Sequence, residues 1–281
     1  MEVRATASTR HRDQIGAELD RIERAVGRGE RNLGALGFWK LVKQVKLDRA
    51  LVAAHAEQIG RIDGAAFRAG VRLRAPVWVG NGVLTLGTVL GALAVGAAFV
   101  WQTPLWKGVA LVAAGAIWTI SVHSPTHWLV GYMAGIRFTH YFLGGPPPPR
   151  PGLKSDYATY LRAHPDSRAW MHASGAIATK LAPFVALGFW PGSNAPWWSA
   201  AVLAALGALQ IATDVAFSTK SSDWKKFLRE KAIARQRRAA LAPTSTAVEQ
   251  ARVTGGSRLS GAAPPVPMAE PVEPPAEGTL R

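Results

Sequence analysis

The sequence predicts an all-α, polytopic membrane protein with about four transmembrane helices, a cytoplasmic helical N-terminal region and a disordered C-terminal tail. Three observations carry that reading. Four apolar stretches each approach the roughly 20 residues that a helix needs to cross a bilayer. No charged residue occurs from Val77 to Trp106, a length that a water-soluble core rarely spares. The 33 Lys and Arg against 18 Asp and Glu, a net charge of +15, crowd beside the apolar stretches. Arg68, Arg72 and Arg74 precede the first stretch, and Lys220, Lys225, Lys226, Arg229 and Lys231 follow the last.

Residues 1–76 read as a cytoplasmic amphipathic helical region, too charged for a secretory signal. Over 9–31, Ile15, Leu19, Ile22 and Val26 recur at helical spacing opposite Arg and Glu, and Phe38, Val42, Val45, Val52 and Ile59 form a second stripe over 38–70. A helical hairpin packed on itself or on the bilayer surface is expected, with a partner-binding coiled coil as the alternative.

The transmembrane domain is expected over 77–217, with spans at about 77–101, 107–136, 169–190 and 197–217. The first two are joined by the short turn Gln102–Trp106 and the last two by Pro191–Pro196. Between the second and third spans, the run Gly144-Gly145-Pro146-Pro147-Pro148-Pro149 cannot be helical and predicts a stiff extended arm. After it, Tyr157, Tyr160 and Leu161, flanked by Lys154 and Arg162, read as an interfacial helix. A basic juxtamembrane helix capped by Ser222 is expected over 218–241, and 242–281, rich in Pro, Ala, Ser and Thr, as a disordered tail.

The short turns carry at most Lys107 while the other flanks are basic, so both termini are expected in the cytoplasm and the chain in the cell membrane. The expected partners are the lipid bilayer, anionic inner-leaflet lipids and a membrane-protein substrate or partner. Basic residues interleaved with aromatics are missing, which argues against nucleic acid. Absence of cysteine excludes disulfides, iron–sulfur clusters and thiol catalysis.

The polar residues inside the spans carry the functional signal, because each is costly there. The second span contains His123-Ser124-Pro125-Thr126-His127, whose imidazoles lie one helical turn apart on one face. The fourth contains one acid, Asp214. Counted from the outer ends of their spans, the three groups fall at similar depth, as a His/His/Asp metal triad with an open fourth position would require.

This arrangement resembles the site-2 protease family of intramembrane zinc metalloproteases over about residues 107–217. The family carries HExxH on the first helix of a three-helix core and an aspartate on the third. The resemblance implies zinc held by His123, His127 and Asp214. It also implies a loss, since Ser124 stands where the family has its general-base glutamate, Pro125 lies between the histidines, and Val215 replaces the usual glycine. No catalytic residue is therefore assigned, and the implied function is that of a degenerate, metal-holding relative with impaired or absent peptidase activity.

Two readings of the residues stay open beside it. The polar groups can serve interhelical hydrogen bonding in a non-enzymatic membrane scaffold, with Asp214 paired to Lys180. Alternatively, His140 and His172 add to His123 and His127 to suit a b-type haem electron-transfer protein, or His172 supplies an extra metal ligand.

Overall fold

The apolar stripes of the N-terminal region close on one another. In the computed structural model, which describes residues 2–144, 150–216 and 222–241, α1 (Glu2–Gly27) packs Ile15, Leu19 and Ile22 against Phe38, Val42 and Val45 of α2 (Phe38–Val45). Val52, Ile59 and Ile62 of α3 (Arg49–Gly70) complete that core. The second stripe thus makes two helices, because the Asp48 carboxylate caps α3 by accepting from the Ala50 N–H and opens a new first turn.

A short strand, β1 (Leu73–Pro76), leads directly into α4 (Val77–Val100). Next come α5 (Pro104–Ser121) and α6 (His123–Met133), then strands β2 (Phe138–Gly144) and β3 (Arg150–Ser155). Short α7 (Tyr157–Arg162), long α8 (Pro165–Gly188), the single turn α9 (Trp190–Ser193), α10 (Trp197–Ala216) and α11 (Asp223–Leu241) follow. Residues 1–239 form one compact unit; of a second, 240–281, only Ala240 and Leu241 are described.

Four segments are long and apolar enough to cross a membrane: Val77–Val100, Pro104–Ser121, Pro165–Ser193 and Trp197–Ala216. Their outward faces carry large exposed apolar side chains, among them Trp78, Leu86, Leu93, Ile120, Leu181 and Leu209, an amount of apolar surface that a monomer in water rarely tolerates. Polar groups join the helices from inside. The Trp118 indole N–H donates to the Thr88 carbonyl across α4 and α5 at 2.9 Å, and the Lys180 ammonium pairs with Asp214 across α8 and α10 at 2.8 Å.

Two expectations need correction. The second span is not one helix over 107–136: it breaks at Val122, and α6 starts at His123. Pro125 explains the break, since it has no N–H to give to the Ser121 carbonyl and fits only in the first turn of a new helix. The fold is also not all-α. β1 pairs antiparallel with β2, and β2 with β3, in the order β1-β2-β3, with Arg74 opposite Phe142 and Tyr141 opposite Leu153. The aromatic and β-branched run Phe138-Thr139-His140-Tyr141-Phe142 favours a strand. Most of the proline-rich arm, residues 145–149, and the whole tail, 242–281, lie outside the described residues.

The expected interfacial helix is α7, but it is not a surface helix. Tyr160 and Leu161 are buried, Leu161 within the N-terminal core. There a Cβ on Gly60 of α3 would stand 2.8 Å from the Ala158 Cβ, so glycine is what lets α3 and α7 meet.

Candidate metal centre

Three donor atoms converge at one end of the bundle. His123 and His127 lie in the first two turns of α6 with ring centroids 4.7 Å apart, edge to face. Both Nε2 atoms point at one carboxylate oxygen, Asp223 Oδ2, at 3.4 Å from His123 and 3.2 Å from His127. The three donors fall within 4.8 Å of one another and can hold a metal ion. Ligands about 2.1 Å from a tetrahedral ion stand about 3.4 Å apart, which is close to both nitrogen–oxygen separations. His123 keeps 38% of its side-chain surface exposed while His127 is buried, so the centre is walled on one side and open on the other.

One face of α8 builds the wall. Met171, Gly175 and Thr179 recur every fourth residue and therefore form a single stripe. The Met171 carbonyl accepts from His127 Nδ1, and since a carbonyl has no proton to give, that nitrogen must carry one, so Nε2 is left to bind a cation or, when it is protonated too, to donate to Asp223. Thr179 Oγ1 contacts His123 Nδ1 at 2.9 Å and fixes the second ring. Between them, a Cβ on Gly175 would lie 2.4 Å from His127 Nε2 and 2.7 Å from the His123 carbonyl, so any larger residue would push α8 away and break both contacts.

The electrostatics call for a positive charge at this point. A neutral His127 protonated on Nδ1 would aim a lone pair at an anionic oxygen, which is repulsive unless a proton or a cation lies between them. Burial works against the charge on Asp223, but hydrogen bonds from His123 and His127 and the nearby Lys226 ammonium outweigh it and hold the carboxyl far below the usual carboxylate range. Lys226 reaches the other oxygen, Oδ1, at 2.9 Å.

Of the residues expected from the sequence, the structure brings together His123 and His127. Asp214 is not in the group, because it is engaged by Lys180. Equal depth along antiparallel helices is therefore not enough: α10 turns its acid toward Lys180 of α8. Asp223 takes the place, nine positions later, in the first turn of α11 whose N-terminus is capped by Ser222 through the Lys225 N–H. His172 and His140 also stay apart. His172 Nε2 meets the Tyr160 hydroxyl at 3.0 Å, and His140 packs against Phe67. Two imidazoles in edge-to-face contact leave no gap for a porphyrin plane, so these contacts do not favour haem.

Asp223 is aimed by its own helix. Asp223, Glu230 and Arg237 are seven residues apart, a spacing that returns to the same face of a helix within about 20° per step. Glu230 receives Lys46 at 2.7 Å, the fully buried Arg168 at 2.8 Å and the Tyr160 hydroxyl at 2.9 Å, and Arg237 donates to the Lys46 carbonyl at 3.0 Å. This acid-x6-acid-x6-base pattern was the available signal in the sequence.

Comparison with models of known protein families, with curated proteins and with solved structures returned no match.

Burial disfavours ionised Glu230, yet the charges of Lys46 and Arg168 and its hydrogen bonds with Lys46 and Tyr160 prevail and hold its carboxyl down at about 2. A depressed carboxyl stabilises the fold above its unfolded value, near 4.5, and loses that contribution as pH falls toward 2. Thermal denaturation of detergent-purified protein should therefore show a midpoint that drops over this window. Glu230→Gln should start lower at neutral pH and respond less to acid; equal slopes for both proteins would contradict the network.

Proposed function

We propose that this chain is an integral membrane protein that holds zinc through His123, His127 and Asp223, in a core built like that of the site-2 proteases but without their means of cutting peptides. The convergence of both imidazole Nε2 atoms on Asp223 Oδ2 is the observation that carries the reading. Two nitrogens, one carboxylate and an open side make up the donor set of a three-ligand zinc site. A zinc held there would supply Lewis-acid chemistry to whatever occupies the open position.

What the chain itself contributes is fixation and not proton transfer. Peptide hydrolysis needs a carboxylate beside the metal that is free to accept a proton. Ser124 stands at that sequence position, Asp223 Oδ1 is taken by Lys226, and Glu230 is held by three partners. Among the described residues no other acid joins the group. The site is thus suited to binding a membrane-embedded polypeptide or stabilising the fold. The scaffold alternative shares all of this except the metal.

Elemental mass spectrometry on detergent-purified protein tests the ligand set. About one zinc per chain is expected in the native protein and in Asp214→Ala, and less than a tenth of that in His127→Ala and Asp223→Ala. Zinc lost in Asp214→Ala but kept in Asp223→Ala would overturn the assignment, and no zinc in the native protein would leave the scaffold.

The basic flanks support an orientation with both termini in the cytoplasm. A reporter enzyme active only outside the cytoplasm should work when fused after Ser193 and fail after Arg150; the reverse pattern would invert the topology.

A further inference from the structure

We infer that the open cavity between α2 and α11 is a binding site for an anionic phospholipid, its phosphate held by Lys43 and Arg229 and its acyl chains laid along Trp39, Leu47 and Ile233. The cavity measures about 970 Å³, far more than a free phosphate fills, and its walls are of two kinds. Four cations line it against one carboxylate: Lys43, Lys46, Lys226 and Arg229 against Glu230. Lys46 and Arg168 already neutralise Glu230, and Lys226 serves Asp223. Lys43 and Arg229 form no salt bridge with a described residue, and both are exposed, so the cavity presents net positive charge that nothing described in the chain offsets.

The apolar wall is also open on its outer side, beyond the edge-to-face contact of Trp39 with Tyr157 at 5.7 Å. Trp39 within α2 and Leu47 just after it are 45% and 43% exposed, while Phe38, Val42 and Val45 of the same helix are buried. A ligand that is anionic at one end and apolar over the rest satisfies both walls, and a soluble anion satisfies only one. Position agrees with this. α11 starts close after α10 and carries Trp224 stacked on Phe227, which in turn packs against Trp170 of α8. Such an aromatic cluster beside span ends marks the headgroup level of a bilayer, where basic side chains attract anionic lipid.

The inference rests on the reading that the four apolar helices lie in a bilayer, and its test separates the two. Native mass spectrometry of the full chain in detergent is titrated with phosphatidylglycerol and with phosphatidylcholine of identical acyl chains. One phosphatidylglycerol per chain should persist, with phosphatidylcholine held at least roughly tenfold more weakly, and Lys43→Glu/Arg229→Glu should lose that preference. Lys40→Glu/Arg235→Glu makes the same charge change on the same two helices outside the cavity and should keep it. Equal retention of both lipids, an equal loss in the control pair, or displacement of lipid by inorganic phosphate at the same concentration would each overturn the site. Zinc content read in the same samples should not change, and a chain that stays monodisperse without detergent would defeat the membrane reading itself.

Discussion

A buried carboxylate, Glu230, organises the cytoplasm-facing end of this molecule as proposed here. An unpaired charge in such a place would cost several kcal/mol, so the fold must surround it with donors. It does so from three separate parts of the chain: Lys46 after α2, Tyr160 of α7 and Arg168 at the start of α8. Arg168, with no exposed surface, also donates through Nη1 to the carbonyls that end α7, among them Leu161 at 2.9 Å. Removing one partner of a buried pair strands the other, at about 3–5 kcal/mol, which makes the arrangement all-or-none. The N-terminal helices, the third apolar segment and α11 are thereby fixed to one another.

Helical periodicity carries that fixation to the candidate metal site. With Glu230 locked, the residue two turns earlier on the same face of α11 is Asp223, delivered to the histidines of α6. From the opposite side α8 supplies a carbonyl to set one tautomer, a hydroxyl to hold the second ring and a glycine to let the helices approach. Ligands held by outer partners in this way spend little free energy on rearrangement when a cation enters. The same packing is the ground for proposing metal binding and not hydrolysis, since each acid near the site is already committed to a cation.

Much of the fold was legible in the sequence because it rests on periodicity. The stripes Ile15-Leu19-Ile22 and Phe38-Val42-Val45 are buried as their spacing requires, and the four apolar stretches are helices of membrane-crossing length. Pairing between distant segments was not legible. The strands are short, and what recommends them is contact with each other, as between Leu73 and Leu143. The two histidines were evident because one helix presents both. Their carboxylate was not, because axial depth says nothing of azimuth. Asp214 has the right level but faces Lys180, and Asp223 looked like one acid in a basic surface helix until its register with Glu230 and Arg237 was considered.

X-ray absorption at the zinc edge on zinc-loaded protein in detergent tests the proposed His123, His127 and Asp223 site most directly. A four-coordinate shell of nitrogen and oxygen at about 2.0–2.1 Å, with the outer-shell scattering of two imidazoles, is expected. A six-coordinate oxygen shell without imidazole scattering would contradict it, because zinc would then sit on surface carboxylates and not between His123, His127 and Asp223.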